Sequence, residues 1–181
     1  MFAVRFHGRG GQGVVTAAEL LASAAFREDR YAQAFPSFGS ERMGAPVMSF
    51  CRIDDKPIRT REPVTEPDAL LIQDPTLLHQ AGLFDGLTAD GYVLVNSAKD
   101  AAAPDQPRHR AIPASRLALA HLGRPLPGAP MLGALAALTG VVSLDAVLAA
   151  ISERFTGKVA AGNVAAARAA YELIAEVSTN A

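Results

Sequence analysis

Gly8, Gly10 and Gly13 fall in the pattern G-x-G-x-x-G between the apolar run FAVRF and the helix-forming run VVTAAELLASAAF. Glycine lets a backbone turn sharply and approach a ligand, and unpaired N–H groups at a helix start attract an anion. Arg9 and Gln12 add polar groups to the same loop. Two readings stay open at this point: a loop facing a phosphorylated ligand, or a tight strand-to-helix turn whose glycines serve close packing. A nicotinamide or flavin site would want an acidic residue at the end of the second strand, about 20 residues on. That strand ends Ala34, Phe35, Pro36, so an independent NAD-dependent dehydrogenase loses most of its support. A second polar loop, PSFGSERMGAP, offers Ser37, Ser40, Glu41 and Arg42, the last able to clamp a phosphate or carboxylate or simply to pair with Glu41 in solvent. Asn96 and Ser97 follow the apolar run YVLV, where open α/β sheets bind ligands. Asp74 precedes Pro75 and Thr76 and reads first as a helix cap.

Other chemistries are excluded by composition. Seventeen Lys and Arg against eighteen Asp and Glu leave a net charge of −1, with 50% of residues hydrophobic. That balance argues against disorder and against nucleic-acid binding through bulk positive charge, and the absence of Trp gives little support to base stacking. Cys51 is the one cysteine, so this chain can hold neither an internal disulfide nor an iron-sulfur cluster of four thiolates. It reads as a small core residue. His7, His79, His109 and His121 are scattered singly, without a zinc spacing, so no metal site is expected. No apolar run reaches the roughly 20 residues of a membrane span, and the opening reaches Arg5 too soon for a secretory core. The expectation is a soluble cytoplasmic protein with no membrane span.

The elements that position these residues follow from pattern. Phe2–Phe6, Tyr31–Phe35, VMSFCRI, ALLI and YVLV read as strands, the last two bounded by turn signals as in a sheet buried on both faces. Helices are expected over VVTAAELLASAAFRE, over TLLHQAG, after Pro130, from the N-cap Ser143, and finally from about Asn163 to Val177. AAAPDQPRHR reads as a surface loop. The fold class is therefore α/β, a Rossmann-like doubly wound, mostly parallel sheet with a helical C-terminal segment, in one domain spanning 1–181.

GRGGQG followed by QAFPSFGSERMGAPV resembles the gamma subunit of 2-oxoacid:ferredoxin oxidoreductases of the pyruvate and 2-oxoisovalerate kind. The likeness continues through PDALLIQDPTLL and MLGALAALTGVVSLDAVLAAISERF to Asn163. The resemblance implies a complex that converts a 2-oxoacid and coenzyme A into acyl-CoA, CO2 and reduced acceptor. Pyruvate is the expected oxoacid, with branched-chain and phenylglyoxylate-type substrates as alternatives. Thiamine diphosphate would lie in the alpha and beta subunits and [4Fe-4S] clusters in a ferredoxin-like delta subunit, leaving this chain no redox or catalytic residue of its own. The division agrees with the cysteine count. By the same resemblance the chain packs on the thiamine subunits and helps to bind coenzyme A. Gly8, Arg9, Gly10, Gly11, Gln12 and Gly13 would meet its phosphates, Ser40 and Arg42 would assist, and Asn96 and Ser97 would hold the nucleotide. The alternative is a purely structural subunit. Two departures from the family pattern stand out: Met43 where a second basic residue is expected, and GRPLPGAP without an asparagine.

Overall fold

The computed structural model describes residues 1–37, 42–98 and 108–179. Six strands form one sheet in the order β2-β3-β1-β4-β5-β6. These are β1 (Phe2–Arg9), β2 (Tyr31–Pro36), β3 (Pro46–Asp54), β4 (Ala69–Ile72), β5 (Tyr92–Asn96) and β6 (His109–Ile112). β1, β4, β5 and β6 run parallel, while β3 returns antiparallel between β1 and β2. The helices are α1 (Val14–Phe26), α2 (Ala114–Leu122), α3 (Gly128–Thr139), α4 (Leu144–Arg154) and α5 (Gly157–Thr179). The α/β class, the mostly parallel sheet and the helical C-terminal segment are as expected.

Strand alternation sends two different sets of side chains to the two sheet faces. Val4, Phe6, Cys51, Ile53, Leu71 and Leu94 join α1, α3, α4 and α5 in the main core. On the other face Leu70, Ile72, Val93 and Val95 lie under Leu83, Leu78, Phe84 and Leu87. Ala3 and Phe50 pack there against Val64 and Phe35. Small residues bring the helices close together: Gly133 of α3 lies so near α5 that a Cβ there would sit 2.0 Å from the Ala167 carbonyl oxygen.

Ser143 caps α4 by accepting from the Ala146 amide at 3.1 Å, and Asp145 adds favourable charge in the first turn. Three expectations change. TLLHQAG is only a short 3-10 turn, Pro75–His79, because Asp74 and Pro75 fix its start and its Gln80 end is already extended. The last helix begins at Gly157, so Asn163 lies inside it and donates to the Val159 carbonyl one turn back. β6 adds a strand within what reads as the end of a surface loop.

Candidate ligand site at the glycine loop

The chain leaves β1 into α1 and β2 on one side, then continues to β4 and β5 on the other. The carboxyl ends of β1 and β4 therefore flank the reversal of strand order, where open α/β sheets bind ligands. The glycine loop lies at that point and its glycines divide into two kinds. A Cβ at Gly8 would meet Val14 at 2.5 Å, and one at Gly10 would meet the Arg42 carbonyl oxygen at 2.1 Å. Both are committed to internal packing. Gly11 (φ +91°) and Gly13 (φ +71°) are exposed, adopt the left-handed region, and Gly13 has nothing within 4 Å of its missing Cβ. Gly13 is also the cap residue of α1, and no side chain caps that helix. Its first amides are thus left without a side-chain partner at the positive end of the helix dipole.

The two polar loops singled out in the sequence meet here. Gly10 donates its amide to Ala45 O at 2.9 Å, and Gly44 donates to Gly10 O at 3.1 Å. Arg42 is exposed on this rim, and Met43 lies against Gly11. Ser40, with Glu41, lies outside the described residues. Arg9 donates to Thr76 Oγ1 at 2.9 and 3.2 Å and to Gly44 O at 3.1 Å, and it lies 3.4 Å from Asp74 Oδ2. Gln12 accepts the Arg9 amide and donates to Asp74 Oδ2, each at 2.8 Å. Asp74 also accepts from the Thr76 amide and hydroxyl, so it is both the cap expected of it and part of the loop network. Burial pushes its carboxyl up, but the bonds from Thr76 and Gln12 and the Arg9 charge together hold it below the ordinary carboxylate range.

Asn96 and Ser97 reach the same end of the sheet. The Asn96 side chain is bonded within the fold. It is buried, donates to Gln73 O and Ser115 Oγ at 2.8 Å, and accepts the Ser115 amide at 3.0 Å. It braces β4, β5 and α2, while Gln73 carries the brace on to Gln12 O at 3.1 Å. Ser97 is half-buried and donates its amide to Ile112 O at 2.8 Å. His7 is buried and accepts from Arg5 Nε at 3.0 Å; burial, then the Arg5 charge, pull its pKa down to about 4.

A groove of about 190 Å³ opens beside Gly13. Gln12, Thr16 and Leu20 form one wall, Arg124, Leu126 and Gly128 a second, and Phe155, Val159 and Asn163 close it. The start of α3 converges on that of α1 here, with the Cβ position of Gly128 lying 3.9 Å from Gly13 O. Sequence reading missed Arg124, although LGRPLP between two helical runs marks a punctuated connection carrying a cation. Among the described residues no group of three or more His, Cys, Asp or Glu is placed to hold a metal, and no helix is long and apolar enough to cross a membrane.

The family described as pyruvate ferredoxin/flavodoxin oxidoreductase matches residues 3–173. The pyruvate synthase subunit PorC of Methanothermobacter thermautotrophicus is 49% identical over 99% of both chains. The pyruvate/ketoisovalerate oxidoreductases common subunit gamma of Pyrococcus furiosus is 47% identical over 95% of this chain and 96% of its own. The crystal structure of the pyruvate oxidoreductase subunit PORC of Thermotoga maritima superposes with a TM-score of 0.82 at 39% identity, covering 94% of this chain and 95% of that one. With the fold and almost the full length matched, this chain belongs to the pyruvate ferredoxin/flavodoxin oxidoreductase family, as a gamma-type subunit of a 2-oxoacid oxidoreductase.

Proposed function

We propose that the chain is the non-redox gamma subunit of a thiamine-diphosphate-dependent 2-oxoacid oxidoreductase. In this reading it packs on the thiamine-bearing alpha and beta subunits beside a ferredoxin-like delta subunit, and contributes one wall of a coenzyme A site. The observation that carries the coenzyme A part is the uncapped start of α1, with Gly13 open beside a groove that holds Arg124. Uncapped amides, two converging helix starts and cations suit phosphate oxygens. Gly11, Gln12 and Gly13 would face the phosphates, with Arg42 adding charge from the rim. Gly8, Gly10 and Arg9 would shape the loop, and Ser97 would lie at the far end of the site.

The groove is smaller than the roughly 300–1,000 Å³ that encloses a whole drug-sized ligand. That shortfall supports a shared site completed by neighbouring subunits. The NAD alternative fits poorly, because β1 neighbours the antiparallel β3 where a dinucleotide fold has its parallel second strand.

The test is Gly13→Val and Arg42→Ala in the complex assembled with its copurifying chains. A charge-assisted bond to phosphate is worth about 1.5–3 kcal/mol, so the KM for coenzyme A should rise about tenfold in each variant. A KM equal to wild type in both would leave the purely structural subunit as the reading.

A further inference from the structure

We propose that Asp74 is a positioning residue of this site, holding Gln12 and Arg9 so that the Gly11–Gly13 turn leaves α1's first amides without a side-chain cap. The proposal rests on the reading that coenzyme A phosphates meet this loop. Gln12 closes the loop on itself, its Oε1 accepting the Arg9 amide at 2.8 Å. Its other end is pinned from outside by a single atom, Asp74 Oδ2, also at 2.8 Å. The same oxygen lies 3.4 Å from Arg9 Nε. The second oxygen accepts from the Thr76 hydroxyl at 2.6 Å, and that hydroxyl in turn accepts from Arg9. Arg9 then reaches Gly44 O. One carboxylate at the carboxyl end of β4 therefore organises three segments: the glycine loop, residues 42–45 and the turn after β4.

This arrangement also gives Arg9 its role. Its charge is partly met by Asp74 and its side chain makes three hydrogen bonds to Thr76 and Gly44, so it ties segments together while the space beside Gly13 stays open. Loop geometry of this kind is sensitive, since misplacement by about 1 Å can cost up to two orders of magnitude in rate.

A simple capping role for Asp74 is separable from a positioning one. Serine is as good a helix cap as aspartate but is too short to hold Gln12 and carries no charge for Arg9. In the assembled complex, Asp74→Ser should raise the KM for coenzyme A about tenfold while kcat at saturating coenzyme A stays within about twofold. Asp74→Asn, which keeps one acceptor for Gln12, should fall between Ser and wild type. Gly13→Val is measured alongside. A wild-type KM in Asp74→Ser while Gly13→Val is impaired would overturn the positioning role alone. Wild-type KM values in both would remove the coenzyme A reading beneath it. A fall in kcat at unchanged KM would assign Asp74 to structure only.

Discussion

The two faces of the sheet solve the same burial problem with different materials. On one face, alanine and glycine let the helices pack closely over Val4, Phe6, Leu71 and Leu94 in an apolar core. On the other face the strands bury Arg5, His7 and Arg52. Irregular chain covers them: Arg5 donates to the carbonyls of Leu83 and Asp85 at 2.8 and 2.9 Å, and Arg52 donates to Glu62 O and stacks over Phe35. A segment without regular structure has carbonyls to spare, and buried guanidinium groups supply the missing donors. The helical face is sensitive to volume, and the loop-covered face to hydrogen bonding and protonation.

Gly133→Ala should separate those behaviours most strongly. Its Cβ would strike backbone, 2.0 Å from Ala167 O, which cannot rotate away. We expect a loss of about 3 kcal/mol in denaturant unfolding, independent of pH. A loss below about 1 kcal/mol would show that α3 and α5 can slide apart at little cost.

The opposite signature belongs to His7. Its folded pKa lies at about 4 against 6.5 when unfolded, so between those pH values the unfolded chain binds a proton that the folded chain refuses. Stability from this group is therefore complete above about pH 6.5 and lost as pH falls toward 4, by up to about 3 kcal/mol. His7→Gln keeps an acceptor for Arg5 and should flatten that slope. Parallel stability-against-pH curves for the two proteins would refute the assignment.

The smallest of the three effects is expected from Arg5→Met. The buried Leu83 carbonyl and the partly buried Asp85 carbonyl lose their donor, at a cost of about 1–3 kcal/mol, and local hydrogen exchange around Leu83 and Asp85 should rise before the helices open. Uniform acceleration across α1 and α3 would instead make the two faces one cooperative unit.

These differences mark what was legible in the sequence. The strand, glycine loop and helix at the start are local, set by alternation and by glycine, and they stand where the pattern put them. β6 escaped because four residues pair only with β5 at a sheet edge, and no alternation announces them. The inward turn of Asn96 depends on Ser115 and Gln73, which only the fold brings alongside. Arg124 was hidden for the same reason, since its groove is assembled from α1, the connection between α2 and α3, and the region around α5's start. Asp74 was read as a cap from its neighbours in sequence; its hold on Gln12 spans 62 residues and leaves no local trace.

The antiparallel return of β3 along β1 has a genetic corollary. Because the ladder runs from Phe2 opposite Ile53 to Arg9 opposite Pro46, the segment preceding β3 is delivered to the glycine loop by register alone. A single-residue deletion within β3 would shift that delivery by one position and swap which side chains meet each layer. The rim of the site is thus indexed by the strand that pairs with Gly8 and Arg9, and insertions should be tolerated in the connection after Asp54 far better than anywhere between Pro46 and Asp54.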